Sequence, residues 1–197
     1  LILEDNPYGD LRISGEPLPC IKSFDEEGVV VYAGTFSKVI SPGMRVGYVI
    51  APSALLQKMV VCKQGEDVHT NIWSQIICDS FLSNYDFDAH LEHLREIYRK
   101  KSAVMLHEME KEFTPYITWE PVTGGLFAWC TLPDKIDMLE FCKQAVLRKV
   151  CVVPGNTFLT DEKEPCQSFR INYSTPTDER THAYTSPMPI CAYRSAA

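Results

Sequence analysis

Gly34-Thr35-Phe36-Ser37-Lys38-Val39-Ile40-Ser41-Pro42-Gly43-Met44-Arg45 separates two short apolar runs, Val29-Val30-Val31-Tyr32-Ala33 and Val46-Gly47-Tyr48-Val49-Ile50. Both runs are rich in β-branched residues, lack polar alternation and are bounded by glycine or proline. That pattern fits strands buried on both faces, as in a sheet covered by helices. The segment between them is therefore a connection, and it gathers a lysine, hydroxyls at Thr35 and Ser37, and an arginine. Upstream, Leu1-Ile2-Leu3 reads as the end of another buried strand, followed at once by Glu4-Asp5-Asn6-Pro7-Tyr8-Gly9. An α/β fold follows, with a mostly parallel sheet and helices.

Beyond Pro52 the period becomes helical. Leu55, Leu56, Met59 and Val60 mark one helix, and Ile72, Ile76, Ile77 and Phe81 a second; both are expected to pack on an apolar surface. Phe87, Leu91, Leu94, Tyr98, Met105, Met109 and Phe113 predict a longer helix over residues 86–113, of a length that often joins two domains. Short strands are predicted at 117–119, 126–132, 150–153 and 169–174, with a helix at 138–148. The expected organisation is the C-terminal part of a large domain over 1–85, a smaller α+β domain over 86–180 that includes the connecting helix, and an atypical tail over 181–197. With Pro187, Pro189 and little periodicity, a stable helix is not expected in that tail, which should be coil or poorly packed. The abrupt apolar start at Leu1 reads as a strand without its beginning, so the chain is expected to be a fragment, with little or no turnover alone.

Composition narrows the function. The 197 residues are 45% hydrophobic and 23% charged, as in a soluble globular protein. A net charge of -7 argues against a nucleic-acid surface, which needs excess Lys and Arg. Apolar runs fall short of the about 20 residues of a membrane span, and there is no signal-peptide layout, which leads to a cytoplasmic expectation. The eight cysteines form no C-x-x-C pair and sit in apolar stretches, so they are read as reduced core thiols, with Cys166 or Cys191 as candidates for exposure.

Lys38 is the candidate nucleophile, since an amine in a partly desolvated or electropositive setting can attack a carbonyl. Thr35, Ser37 and Arg45 form a donor set suited to a phosphate dianion. Asp5 follows a strand end, where open α/β sheets bind ligands, and its carboxylate can hold a ring nitrogen protonated. Tyr8, beyond the turn imposed by Pro7, can offer its phenol to a second ring substituent. A phosphorylated aldehyde with a ring nitrogen uses all of these groups together. Singly each has a plainer reading, as a surface lysine, a helix cap or an ion-paired arginine; jointly they point one way.

Thr35-Phe36-Ser37-Lys38-Val39-Ile40-Ser41-Pro42-Gly43-Met44-Arg45-Val46-Gly47 resembles the S-F-S-K-x-x-x-P-G-x-R-x-G motif of fold-type I pyridoxal-phosphate aminotransferases, class I/II, in the branch of the 2-aminoadipate and kynurenine enzymes. Gly124-Gly125-Leu126-Phe127-Ala128-Trp129 and Val153-Pro154-Gly155-Asn156-Thr157-Phe158 resemble that family's G-G-x-F-x-W strand and V-P-G-x-x-F loop. The resemblance runs from residue 1 to about 180. It implies that Lys38 attaches pyridoxal 5'-phosphate and acts as base, that Asp5 pairs with the ring nitrogen and Tyr8 with the ring oxygen, and that Thr35, Ser37 and Arg45 hold the phosphate. It implies further that Arg170 in Phe-Arg-Ile-Asn-Tyr-Ser grips the substrate α-carboxylate. The implied activity is ping-pong transamination between an amino acid and a 2-oxo acid by a homodimer in the full-length protein. A PLP-dependent β-lyase uses the same residues, and the sensor of a winged-helix transcription regulator shares the fold. His90 and His93 lie three apart on a predicted helix, but no zinc motif surrounds them, and they are read as a solvated face with no metal.

Overall fold

The computed structural model describes residues 1–185. The chain divides into two compact units, Leu1–Arg95 and the remainder from Glu96. The division falls inside the long helix, which runs Phe87–Phe113, and not ahead of it. Its first turns belong with the first unit through particular contacts: His90 Nε2 lies 2.7 Å from the Val39 carbonyl and Arg95 Nε donates to the Asp10 carbonyl at 2.9 Å.

In the first unit, β1 (Ile2–Asp5), β2 (Val30–Thr35) and β3 (Gly47–Ile50) form a sheet in the order β1-β2-β3. β1 and β2 are parallel, with Asp5 beside Ala33, while β2 and β3 are antiparallel. The expected mostly parallel sheet is thus half parallel in the described pairings. The cause is the connection carrying Lys38, which is too short for the crossover that parallel neighbours need and so returns as an antiparallel hairpin. Side-chain hydrogen bonds fix the approach to β2. Glu4 accepts from the Ile21 and Lys22 N–H groups, both at 2.8 Å. Asp25 accepts from Val29 and Val30 N–H at 2.9 and 3.0 Å and pairs with Lys22 Nζ at 2.7 Å. The Lys22 hydrogen bond, with those two amides, holds the Asp25 carboxyl well below the usual carboxylate range.

Helices α1 (Ser53–Glu66) and α2 (Ile72–Asn84) follow as predicted, α2 capped by Asn71 accepting from Ser74 N–H at 3.1 Å. Their apolar faces differ from expectation. Leu56, Met59, Val60, Ile72, Trp73 and Ile76 are exposed, as are Leu1, Leu3 and Tyr48 to Ile50 on the sheet. The described residues of this unit do not cover the faces that the sequence makes apolar.

After α3 (Phe87–Phe113) comes a four-stranded antiparallel sheet, ordered β4 (Thr118–Trp119), β5 (Phe127–Thr131), β7 (Ser168–Asn172), β6 (Val153–Pro154), with α4 (Met138–Leu147) between β5 and β6. Strict alternation in β5 and β7 sends Ala128, Cys130, Phe169 and Ile171 inward, where they meet Met105, Met109 and Phe113 of α3 and Phe141 and Ala145 of α4. Each such ring removed from water stabilises the unit by about 1.5–3 kcal/mol. Asp137 caps α4 by accepting from Glu140 N–H at 2.8 Å. Tyr173, also buried, donates to the Gly125 carbonyl at 2.6 Å and pins the glycine turn before β5, where Gly125 has φ 76°.

Two expectations are corrected here. The tail begins as a helix, α5 (Asp178–Thr185), and not as coil at 181. Thr177 accepts from Arg180 N–H, acidic residues fill the first turn, and Thr181 and Thr185 are buried, so capping and docking outweigh the poor periodicity. Pro187, Pro189 and Cys191 lie outside the described residues. Among the described residues the thiols are free, but not all are in cores: Cys78, Cys130 and Cys142 are buried, Cys62 and Cys151 are exposed and Cys166 is half-buried. Cys62 and Cys151 occupy outward positions that their apolar neighbours in sequence disguised. Burial pushes the Cys130 thiol up to about 12. No helix among the described residues is long and apolar enough to cross a membrane.

Candidate functional site

Because β1 and β2 are parallel, their carboxyl ends share one edge of the sheet. Asp5 ends β1, Thr35 ends β2, and the Asn6 N–H continues the pairing to the Ala33 carbonyl at 3.0 Å. The chain then makes a turn over residues 36–41, closed by Ile40 N–H donating to the Phe36 carbonyl at 2.8 Å, and this turn presents Lys38. Tyr8 comes round from the β1 end so that Lys38 Nζ stands over its ring, 5.8 Å from the centroid.

The hydroxyls organise the other side of the turn. Thr35 Oγ1 donates to the Val46 carbonyl at 3.3 Å and accepts from the Ser37 N–H at 3.1 Å. Buried Ser37 accepts from Arg45 Nη1 at 3.2 Å, and the same nitrogen donates to the Pro42 carbonyl at 3.2 Å. Arg45 also takes a left-handed conformation, φ 54° and ψ 36°, which is unusual for a residue with a side chain. Among the described residues neither Lys38 nor Arg45 forms an ion pair with a carboxylate. Arg45 and two hydroxyls thus meet in the turn that also carries Lys38, without internal neutralisation, and that donor set suits a phosphate beside an aldehyde. Asp5 is exposed at the same edge.

Sequence reasoning missed three residues here. His90 was read as part of a solvated face, but it is half-buried, rests edge-on against Phe81 at 5.1 Å and binds the carbonyl of Val39, the residue after Lys38. Only its distance in sequence concealed that contact; exposed His93 does fit the reading. No metal-binding cluster occurs among the described residues. Tyr48 lies across Gly34, where any Cβ would strike the phenol ring, and contacts Phe36 and Tyr32 at 5.5 and 6.1 Å. Burial and neighbouring Tyr48 push the Tyr32 phenol up to about 12, so it stays protonated. The glycine at 34, facing an aromatic strand, was the available signal.

In the second unit, Arg170 lies at the middle of β7, opposite Trp129 of β5 and Val153 of β6. The alternation that buries Phe169 and Ile171 places Arg170 on the other face of the sheet, with Phe127 and Trp129. Arg170 Cζ is 3.9 Å from the Phe127 ring centroid and 4.6 Å from that of Phe158 in the turn Gly155–Phe158.

Residues 2–185 match the family of class I and II aminotransferases. The chain belongs to that family. It is 37% identical over 180 residues to aromatic-amino-acid aminotransferase 1 of Thermococcus litoralis, a match that covers 91% of this chain and 43% of the relative. Its fold matches LysN, the α-aminoadipate aminotransferase of Thermus thermophilus, solved with N-(5'-phosphopyridoxyl)-L-leucine, at TM-score 0.89 and 30% identity over 98% of this chain and 50% of that one. It is also 30% identical to an uncharacterized HTH-type transcriptional regulator of Bacillus subtilis, over 88% of this chain and 35% of the relative. The chain spans less than half the length of these curated relatives. The α/β fold expected of a class I/II aminotransferase is the fold observed.

Proposed function

We propose that this chain carries the lysine-bearing and carboxylate-gripping parts of a pyridoxal-phosphate aminotransferase, which moves an amino group between an amino acid and a 2-oxo acid. The observation that supports this most directly is the cationic turn in which Ser37 and Arg45 touch while Lys38, one residue along, faces Tyr8. Pyridoxal phosphate, when bound, supplies an electron sink and a carbonyl that takes up and releases the amino group. Ser37, Arg45 and Thr35 would hold its phosphate, Asp5 would keep its ring nitrogen protonated, and Tyr8 would bind its ring oxygen.

Lys38 would have two tasks in this reading: its Nζ would hold the cofactor, and as a free amine it would take the α-proton of the amino acid as general base. Arg170 binds the α-carboxylate, for which the guanidinium fork is suited. The reaction divides into two halves: the first amino acid leaves as a 2-oxo acid, and a second 2-oxo acid enters by the same route and leaves as an amino acid. The exposed apolar faces of the first unit support a homodimer in the full-length protein, and the free thiols support a reducing compartment, the cytoplasm.

Borohydride reduction of the protein loaded with pyridoxal phosphate, followed by peptide mass mapping, tests the assignment. The cofactor mass is expected on the peptide containing Lys38, and label on another lysine overturns it. A second reading, in which the same pocket senses an effector, is not favoured by the similarity to a transcription regulator, because that relative is itself aminotransferase-like over the matched region. A donor screen of the full-length protein that finds cofactor attached at Lys38 but no 2-oxo acid formed would select that reading.

A further inference from the structure

Arg170 is held in an unusual way for a charged residue on a sheet. Its Nε is buried without a hydrogen-bond partner, and among the described residues no carboxylate pairs with it. Instead, two aromatic rings from different elements lie against the guanidinium. A buried donor left unsatisfied costs about 1–3 kcal/mol, so a guanidinium kept in this state retains hydrogen-bonding capacity for something that arrives from outside.

The rings are placed for this task and not for the core. Phe127 lies on the sheet face turned away from the buried cluster, and Phe158 is 48% exposed. Phe158 is also fixed independently of Arg170. Trp129 meets it edge to face at 5.4 Å, and Thr157 donates to the Pro154 carbonyl at 2.6 Å across the same turn. Gly155 lets that turn press against β7, since a Cβ there would strike the Ser168 carbonyl. A guanidinium donates only along its in-plane edges, so rings against it do not use up its hydrogen-bonding capacity.

We propose that Phe127 and Phe158 are positioning residues for Arg170, holding the guanidinium plane so that it takes a planar carboxylate edge-on and rejects a tetrahedral phosphonate. This rests on the carboxylate role of Arg170 proposed above. A carboxylate has two oxygens in one plane and completes the orphaned Nε with a bidentate pair. The third oxygen of a phosphonate projects out of that plane towards the ring faces.

The test is a nitrogen-edited NMR titration of the intact protein with acetate and with methylphosphonate, following the Arg170 Hε resonance. In the native protein, ring currents should place Hε upfield of the other arginines, and acetate should move it at concentrations where methylphosphonate does not. Phe158→Leu and Phe127→Leu should each reduce the upfield shift and lower the acetate preference about tenfold, on the scale of a desolvated cation-π contact. Phe158→Tyr should restore both. An Hε without the upfield shift, or a preference unchanged in both leucine variants, overturns the proposal. An Hε that keeps its ring shift but ignores acetate overturns both the carboxylate role of Arg170 and the selectivity built on it. A full acetate preference in a full-length protein that transfers no amino group supports the ring clamp and overturns only the enzymatic reading.

Discussion

Phe113, Phe141 and Phe169 in the second unit are sealed from solvent, whereas Leu1, Leu3 and Ile50 in the first stand 86%, 71% and 52% exposed. The second unit closes a core over one face of its sheet and leaves the other for Arg170 and its rings. The first unit buries little beyond Leu11, Ile13, Val30, Val39, Val46, Cys78 and Leu91, and relies on polar ties: Glu4 and Asp25 before β2, Thr35 and Ser37 in the lysine turn, His90 at its end. The contrast separates two means of fixing a functional side chain. Arg170 is placed by a hydrophobic core acting through strand alternation. Lys38 is placed by a few directional bonds around a turn.

Core truncation should show the largest difference. Phe169→Ala is expected to cost about 3–5 kcal/mol, while Leu3→Ala should change stability by no more than about 0.5 kcal/mol. Urea unfolding midpoints would measure both, and equal losses would remove the contrast. Next, Arg45→Ala should weaken pyridoxal phosphate binding about 10- to 100-fold, the scale of lost charge-assisted hydrogen bonds. Core amides of the second unit should exchange at an unchanged rate in that variant.

His90→Ala should cost about 1 kcal/mol and loosen the lysine turn. Faster hydrogen exchange at Ile40 and Ser41, whose amides close that turn, is the expected signature. The smallest effect concerns Glu108, whose Oε1 lies 2.9 Å from His182 Nδ1. Burial alone would raise its carboxyl, but the His182 hydrogen bond and the charges of Lys111, His182 and His107 outweigh burial and hold it below its ordinary value of 4.5. A depressed folded value means that the contribution is complete above the unfolded value and is lost as pH falls through the folded one. Glu108→Gln should therefore flatten the fall in stability of the second unit below about pH 4.5, by under about 1 kcal/mol, in acid titrations followed by circular dichroism.

Much of this was legible in sequence because local rules applied. Continuous β-branched runs marked β2 and β3, helical period marked α1 to α4, and alternation in Phe169-Arg170-Ile171 already put the arginine on the face opposite the core. Lys38, Ser37 and Arg45 were recoverable because one short connection holds all three. What escaped was set by contacts distant in sequence. The bond from His90 to Val39 joins residues 51 positions apart. Phe127 and Phe158 lie within recognisable motifs, but their contact with Arg170 depends on how β5, β7 and the Gly155–Phe158 turn meet. The helical start of the tail depended on the burial of Thr181 and Thr185, which their small polar side chains did not announce.

The left-handed backbone at Arg45 has a consequence for the evolution of this turn. A residue with a Cβ loses about 1–2 kcal/mol in that conformation, which glycine occupies without steric cost. Under selection for thermal resistance alone, Arg45→Gly would relieve much of that strain. Under selection for anion capture, the guanidinium against Ser37 would be retained in spite of it. The turn therefore stands at a point where the two pressures favour different residues, and a pooled variant library sorted separately for abundance and for cofactor retention should rank position 45 in opposite directions.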